Sequence, residues 1–441
     1  MSSRAAAKPL ATHTAAQNGH VNSSPTACRA PVPRGSSLSS ASPAALSNWV
    51  KGARSGLVTA PLVSSRDRRP GGRHGPRGRV NLPIHAGPPW SAAACSRAAH
   101  PSAVPGPRGS MLLRVGGPAA GNDGAMELFP PVPLAQWSDT KATLHRFAQV
   151  VGKIRLAASV RRNHWWNVPF HLTGRGTTSR PMGQVDGNPI FTIDFDFVGH
   201  QLVVTGEDGR TVSFPLYGQS VASFYRSTLE ALREVGVRVT IDRPAPFDLP
   251  DAGRPFADDT EHASYDPVRA TRYWRVLSQV NLVLEEFAAR FAGKVSPVHH
   301  FWHTFDIAHT RFSERRVPQP PEADPVTREA YSREVISFGF WFGDDSFPEP
   351  AFYSYTAPEP GGLAAEPLRP GTADWLARDT AHLAVLRYDD ARAEADPRAA
   401  VLDFYESAYQ AGARLAGWDI AGLACPGGIT DPVVSRSSQP S

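Results

Sequence analysis

Large aromatic residues are nearly absent from the first 125 residues of this 441-residue chain. That segment has two tryptophans, Trp49 and Trp90, and no phenylalanine or tyrosine. It is rich in Ala, Ser, Pro, Gly and Arg, and such a composition cannot bury enough apolar surface to offset the entropy of ordering. We therefore expect residues 1–125 to be disordered and the folded part to begin near Met126.

Acidic residues are equally scarce in this segment. Fifteen Lys and Arg face two acids, Asp67 and Asp123, a balance of 15 − 2 = +13. The remainder has 46 − 15 = 31 basic and 41 − 2 = 39 acidic residues, a balance of −8. The basic segment is compatible with a nucleic-acid-binding arm. We favour a different interpretation, in which this segment is GC-rich upstream DNA read as protein and translation starts at Met126. The acidic remainder argues against nucleic-acid binding by the folded part.

Cysteine pairs, long apolar runs and familiar cofactor motifs are also missing. Cys28 and Cys95 lie in the first segment, and Cys425 lies near the C-terminus. The folded part thus needs no disulfide and offers no thiolate metal site, which fits a cytoplasmic location. No run is long and apolar enough to span a bilayer, so no membrane association is expected. Without a Gly-rich phosphate loop or a nucleophile elbow, we expect no cofactor and exclude the common nucleotide-binding and α/β-hydrolase classes.

The acidic part of the chain shows the same order of elements twice. A helix near residues 138–157 carries an apolar stripe that includes Leu144 and Val151. A second helix, near residues 267–292, follows Asp266, a good N-cap, with proline at its first position. Each helix opens one copy of the repeated order.

Four strands and a closing helix are predicted after each opening helix. In the first copy the strands are His164-Trp165-Trp166 and residues 193–197, 201–205 and 211–216, and the closing helix lies near residues 221–227. Their counterparts in the second copy, in the same order, are His300-Phe301-Trp302, residues 336–340, 352–356 and 382–387, and a closing helix near residues 401–407. One copy exposes an apolar sheet face that it cannot cover alone, so two copies are expected to bury theirs together about a pseudo-two-fold axis. Chance similarity among amphipathic elements is the alternative.

The predicted fold is therefore α+β. It consists of two tandem helix–four-strand–helix units, an internal duplication, that form a pseudo-two-fold antiparallel-sheet core after a long disordered N-terminal segment. The first unit spans residues 126–250 and the second spans residues 251–424, with a linker near residues 248–255. A disordered tail is expected over residues 425–441.

Several stretches of this part resemble a known family. They include Asn163-His164-Trp165-Trp166, His262-Ala263-Ser264-Tyr265-Asp266-Pro267 and Thr310-Arg311-Phe312-Ser313. Together they resemble a bacterial family known as domain of unknown function 5996, over about residues 129–418. Members of this family start close to the position of Met126, so the resemblance implies that this chain also starts there. The family has no established activity, so the resemblance implies no catalytic residue.

A His-x-Trp…Arg pattern occurs in both copies and gives the main candidate site. Trp166 and Trp302 differ by 302 − 166 = 136 positions, and Arg175 and Arg311 by 311 − 175 = 136. Guanidinium groups suit a carboxylate or phosphate, and indoles suit an aromatic or sugar ligand. With His164, these residues are predicted to line a cleft between the halves that binds an unknown small anionic or aromatic molecule.

A structural alternative exists for each of these residues. The tryptophans are then core anchors, and the arginines pair with Asp194, Asp196 or Asp306. The same carboxylates, with His299, make a second functional hypothesis, a hydrolase or lyase. Asp194 and Asp196 are spaced for an acid–base pair or a hard cation, although this spacing also occurs on the wet face of a sheet. We expect the partner of Asp306 to be an arginine.

A metal site and an interaction protein are the remaining possibilities. His299, His300, His303 and His309 invite a metal interpretation. On a strand, however, adjacent residues point to opposite faces, and His299 and His303 lie about 13 Å apart. We therefore expect no metal site. The third functional hypothesis is an interaction protein without pocket chemistry, which predicts a large exposed apolar patch.

Overall fold

A computed structural model describes residues 127–184, 187–378 and 381–431. The predictions of disorder for residues 1–125 and 432–441 lie outside the described residues. Within them the chain is a mixed α+β protein with two antiparallel sheets, which confirms the predicted α+β class. No helix in these ranges combines the length and the apolar character that crossing a membrane requires.

The first half, residues 127–250, contains a five-stranded sheet whose strands pair in chain order. Its elements are α1 (Ser138–Ala158), β1 (His171–Leu172), β2 (Gly176–Thr178), β3 (Phe191–Asp196), β4 (Gln201–Gly206), β5 (Thr211–Pro215) and α2 (Val221–Glu234). Strand β3 alternates as predicted: Ile193 and Phe195 are buried, and Phe195 packs against Phe224 of α2. Alternation therefore sets one face of this sheet against the helices.

The second half, residues 251–431, contains a six-stranded sheet in the order β10-β11-β9-β8-β7-β6. Its elements are α3 (Pro267–Ala289), β6 (His299–Phe301), β7 (Asp306–Arg316), α4 (Pro325–Ala330), β8 (Arg333–Trp341), β9 (Ala351–Ala357), β10 (Asp374–Arg378), β11 (Ala381–Arg387), α5 (Tyr388–Ala393), α6 (Pro397–Leu415) and α7 (Ile420–Leu423). The predicted N-cap of α3 is present, since Asp266 accepts hydrogen bonds from the backbone of Val268 and Arg269. Cys425, where the predicted tail begins, is buried.

The predicted four strands in each half are wrong, because the sheets have five and six. The strand predicted at His164-Trp165-Trp166 is also wrong. That stretch is a 3₁₀ turn over Asn163–Trp165, in which His164 and Trp165 have φ of 53° and 60°. A strand cannot adopt this left-handed backbone. The first strand of this sheet lies later, at His171–Leu172.

The two sheets meet edge to edge at β1 and β6, a junction that we call the seam. Phe170 and His300 exchange backbone hydrogen bonds of 2.8 and 2.9 Å. The helices lie on one face: the Tyr273 hydroxyl of α3, for example, lies 2.8 Å from Nε2 of His300. The residues next to Phe170 and His300 along each strand point to the opposite face of the sheet, which we call the outer face. His171 and His299 lie there, with ring centroids 6.2 Å apart.

Candidate functional site

Arg311, predicted to bind a ligand, lies in the core beneath the helices. Its residue is 1% exposed, and its guanidinium carbon lies 3.8 Å from the ring centroid of Phe287 and 4.3 Å from that of Tyr409. One nitrogen donates a 2.8 Å hydrogen bond to the carbonyl of Phe287 near the end of α3. These contacts hold α3 against the sheet and leave Arg311 facing away from the outer face.

Trp302 and Arg175 also have structural partners. The indole N–H of Trp302 donates to the carbonyl of Val168 at 3.1 Å, and its ring packs against Gly152 of α1. Arg175 is mostly exposed and forms a 2.7 Å ion pair with Asp196. These contacts match the structural alternative, a core anchor for Trp302 and an Asp partner for Arg175.

Trp166 and His164 lie at a third place. Trp166 packs edge-on against Phe312, with centroids 5.6 Å apart, and His164 lies 2.7 Å from the ammonium of Lys294. The described contacts therefore do not gather the predicted ligand-binding residues around one cleft. The shared offset of 136 does not mark equivalent positions either, because Arg175 lies in the β1–β2 turn whereas Arg311 lies within β7.

Asp306 has hydroxyl partners, so the predicted arginine partner is wrong. Thr304 and Tyr353 each donate a hydrogen bond, one to each carboxylate oxygen. Tyr353 reaches Asp306 across the intervening strand because Gly339 has no side chain there; a Cβ at that position would lie 2.5 Å from the Tyr353 hydroxyl. Burial raises the pKa of Asp306, and the two hydroxyl hydrogen bonds oppose that rise.

The other predicted carboxylates are engaged separately. Asp196 accepts from Arg175 and from the backbone of Val198 and Gly199, and these bonds hold its pKa low against the opposing effect of burial. Asp194 accepts from Thr192. Among the described residues, no hydrogen bond joins Asp194, Asp196, Asp306 or His299 to one another. The geometry for a shared acid–base site is therefore not present.

A group that the sequence did not single out lies near the seam, and we call it the basic cluster. It consists of Arg155, Arg162, Arg180, His171 and His299. The end of α1 brings its members together, because the backbone N–H of Gly183 donates to Ala158 at 2.9 Å. This bond ties the segment after β2 to the helix end that carries Arg155.

Arg155 is the unusual member of the basic cluster. The residue is 4% exposed, and Nε and one terminal nitrogen are buried without a hydrogen-bond partner among the described residues. Within the same residues, Arg155, Arg162 and Arg180 form no ion pair. Burial lowers the pKa of Arg155 to about 10, and the charges of Arg180 and Arg162 add to this effect. A buried, unpaired guanidinium is costly unless something compensates its charge.

The two histidines of the basic cluster are neutral. Burial, followed by the charges of Arg180, Arg155 and Arg162, lowers the pKa of His171 to about 3. Burial and the neighbouring His171 lower the pKa of His299 well below its usual value, and its Nδ1 is buried without a partner in the described part of the chain. Neutral imidazoles retain one N–H donor each, and that of His171 bonds to the backbone of Val298. The cluster therefore combines cations with neutral imidazoles. Burial raises the pKa of Glu285 and the charge of Arg180 opposes that rise, so this carboxylate lies within reach of Arg180.

A signal for this cluster was present in the sequence. Arg155 lies four residues after Val151, so it falls on the apolar stripe of α1, where a charged residue is exceptional. His171 and Arg180 carry no comparable signal, because they come close to Arg155 only through the pairing of short strands.

An ionic clamp joins α1 to the segment between the halves. Arg146 donates to both carboxylate oxygens of Asp251 at 2.9 and 2.7 Å, and Nδ1 of His262 lies 2.9 Å from Asp259. Asp251, Asp259 and His262 present ligand atoms within 4.8 Å of one another, which is metal-ligand spacing. Arg146 and Arg254 already supply positive charge there. The arrangement works as a buried clamp that fixes the predicted linker.

The comparison with protein families accounts for nearly all of the described structure. The model of one family matches residues 129–425, and its description is Family of unknown function (DUF5996). The chain belongs to this family. The resemblance predicted from the sequence is thereby confirmed. No curated protein matches the chain, and no solved structure does. The matched range includes both halves, the seam and the basic cluster.

Three buried histidines and the half-buried His303 predict that acid destabilises this fold. Burial lowers the pKa of His171, His300 and His309 to about 3 and that of His303 to about 4. An unfolded histidine titrates near 6.5, roughly, so the unfolded chain binds more protons between these values. Stability is therefore complete above about pH 6.5 and falls as the pH decreases, by about 1.4 kcal/mol per pH unit for each histidine.

Urea unfolding at pH 7 and pH 5 measures this effect. We expect the free energy of unfolding to be several kcal/mol lower at pH 5. Asp306 acts in the opposite direction, because its raised pKa lets the folded state take up a proton first as the pH falls. The variant His309→Gln should show a shallower pH dependence. Equal stability at the two pH values would contradict the assignment of neutral, buried imidazoles.

Proposed function

We propose that this protein binds a small anion, a carboxylate or phosphate, at the seam between its two halves. The observation that carries the proposal is the buried guanidinium of Arg155, which has no acidic partner among the described residues. Arg162 and Arg180 add positive charge, and His299 adds a neutral imidazole whose Nδ1 has no partner among the described residues. An anion is one of the two ligand classes that the sequence suggested, an anionic or an aromatic molecule, but the residues differ from Arg175 and Arg311.

Electrostatics supports an anion in this position. Three arginines whose charges disfavour one another gain stability when a negative charge is placed among them. Guanidinium groups bind carboxylate and phosphate oxygens with two parallel hydrogen bonds. Since Arg155 is already buried, the binding group is desolvated before the anion arrives, which strengthens each hydrogen bond to it.

The variant Arg155→Met tests the proposal. Met fills a similar volume without charge, so we expect the unliganded variant to be as stable as the parent, or more stable by about 1 kcal/mol. Inorganic phosphate should raise the melting temperature of the parent, since a ligand at 100 times its Kd stabilises by about 2.7 kcal/mol. The variant should show no such rise. Thermal unfolding with and without phosphate or acetate measures both quantities.

Arg175→Met is the matched control, because Arg175 pairs with Asp196 outside the basic cluster. It should keep the response to phosphate. Two results would overturn the proposal: a parent protein that responds to neither phosphate nor acetate, or an Arg155→Met variant destabilised by more than about 2 kcal/mol, which indicates a structural role.

The hydrolase or lyase hypothesis and the interaction hypothesis receive less support. The carboxylates named for catalysis have separate partners, as described above. The large apolar side chains that are exposed are scattered, for example Leu156, Val160, Val198 and Leu282. Isolated exposed residues of this kind are normal on protein surfaces. Neither hypothesis has an observation comparable to the unpaired Arg155.

We also propose that the two halves arose by duplication about a pseudo-two-fold axis through the seam. Each half begins with a long helix, α1 or α3, continues with antiparallel strands that pair mainly with their sequence neighbours, and has a further helix, α2 or α6, after its last strand. The seam is antiparallel, as a two-fold axis between its strands requires. On this proposal β10, at the far edge of the second sheet, is an insertion. An experimental structure in which the halves do not superpose would reject it.

A further inference from the structure

The strongest remaining feature is Asp306, on the outer face of β7. It is 2% exposed and fully buried, and no lysine, arginine or histidine of the described residues forms an ion pair with it. Thr304 and Tyr353 donate one hydrogen bond to each of its oxygens. Each carboxylate oxygen can accept two hydrogen bonds, so Asp306 retains acceptor capacity. A buried carboxylate of this kind attracts a cation.

The surroundings of Asp306 suit an organic cation. Phe301 is its direct partner across the β6–β7 pair, and Tyr353 packs against Trp341 with ring centroids 5.6 Å apart. Aromatic faces attract organic cations such as ammonium groups. Strongly hydrated metal ions prefer several oxygen ligands, whereas this site offers one carboxylate and hydroxyl groups. The chemistry therefore favours an ammonium group over a metal ion.

The strand register places Asp306 beside the basic cluster. His299 lies opposite Ala308, and Phe301 lies opposite Asp306. His299 and Asp306 are thus diagonal neighbours on one face of an antiparallel pair, with Cα atoms about 7–8 Å apart. Phe301 lies between them, and its ring centroid is 4.6 Å from that of His299. His299 of the basic cluster and Asp306 are therefore separated by one apolar side chain.

We infer that the molecule bound at the seam is a small zwitterion, with its anionic group at the basic cluster and its ammonium group at Asp306. This inference rests on the proposed anion binding and specifies the ligand class. Carboxylate and phosphate are both possible as the anionic group, because guanidinium groups accept either. Amino acids and aminoalkyl phosphates share the required chemistry, and Phe301 contacts the alkyl part that joins their charges.

Matched pairs of probes distinguish the contribution of the basic cluster from that of Asp306. Phosphoethanolamine and 3-aminopropyl phosphate carry both charges, whereas ethyl phosphate and propyl phosphate carry only the anionic one. β-Alanine and propionate form the same pair for a carboxylate. We expect at least one zwitterion to bind the full chain tenfold or more tightly than its partner without nitrogen, measured by isothermal titration calorimetry. Equal affinities within every pair would overturn the zwitterion inference and leave anion binding intact.

Variants locate the two contacts. Asp306→Asn keeps the size of the side chain and the capacity to accept from Thr304 or Tyr353, so it should reduce the tenfold preference to less than twofold. Asp194→Asn is the matched control and should leave the preference unchanged. Arg155→Met should abolish binding of all probes. A preference that survives Asp306→Asn would overturn the assignment of Asp306.

The failures of the two proposals remain distinguishable. If the parent binds neither ethyl phosphate nor propionate nor any zwitterion, the proposed anion binding fails, and the inference fails with it. If Asp306→Asn does not fold, the comparison within probe pairs on the parent still decides whether a zwitterion is preferred.

Discussion

The variant Arg311→Ala should lose about 3–4 kcal/mol of folding free energy, a larger loss than most single substitutions cause. Its side chain is fully buried between the rings of Phe287 and Tyr409 and donates to the carbonyl of Phe287. Alanine would leave a cavity and remove cation–π contacts that are strong when desolvated. It would also remove one of the two donors to the Phe287 carbonyl, the other being the backbone N–H of Arg290. Urea unfolding of parent and variant measures the difference.

The control for this prediction is Arg175→Ala. It removes an ion pair whose arginine is mostly exposed, so the expected loss is at most about 1 kcal/mol. Arg311→Lys should recover only part of the stability, because an ammonium cannot stack on both rings as a planar guanidinium does. If Arg311→Ala is as stable as Arg175→Ala, Arg311 does not hold α3 to the sheet, and its ligand-binding interpretation returns.

The variant Gly152→Ala should destabilise the protein by about 2–3 kcal/mol, although alanine favours helices. In an exposed helix the same change stabilises by about 1 kcal/mol. Here a Cβ at position 152 of α1 would lie 2.2 Å from two ring carbons of Trp302. Trp302 is 5% exposed and is fixed by its hydrogen bond to Val168, so it cannot move away without disturbing the seam side of the fold.

A double-mutant cycle tests the cause of that loss. Trp302→Ala alone creates a cavity and should destabilise by about 3–5 kcal/mol, and adding Gly152→Ala should then cost almost nothing or stabilise slightly. Gly253→Ala is the control, because no atom lies within 4 Å of a Cβ at that position. Additive effects at positions 152 and 302 would contradict close packing of the helix against this indole.

Strong local patterns explain which parts of the fold could be predicted from the sequence. The long helices α1 and α3 have apolar stripes, and β3 and β8 alternate strictly, so their positions follow from periodicity alone. Strands β1 and β2 have two and three residues, too few to show any period. The sequence therefore suggested a strand at Trp165, whose aromatic neighbours favour strands, although its φ is 60°.

The candidate site was harder to predict, because it depends on which elements become neighbours. His-x-Trp…Arg is a conspicuous pattern, yet Arg311 points to the helices and Arg175 to Asp196. Conversely, Arg155 and His299 are 144 positions apart (299 − 155), and long-range contacts such as the pairing of β1 with β6 bring their halves together. Sequence spacing can identify a charged residue on an apolar stripe, but it cannot identify the partner that this residue lacks.

The seam also affects how the protein avoids aggregation. Where β1 and β6 cover one another, neither offers an open row of backbone groups to another chain. The outermost strands are then β5, which ends in Pro215, and β10, whose ends are Asp374 and Arg378. Proline lacks a backbone donor, and charged side chains at an edge repel an incoming strand. Loosening the Phe170–His300 pair would expose two additional short edges, so variants that open the seam should aggregate before they unfold completely.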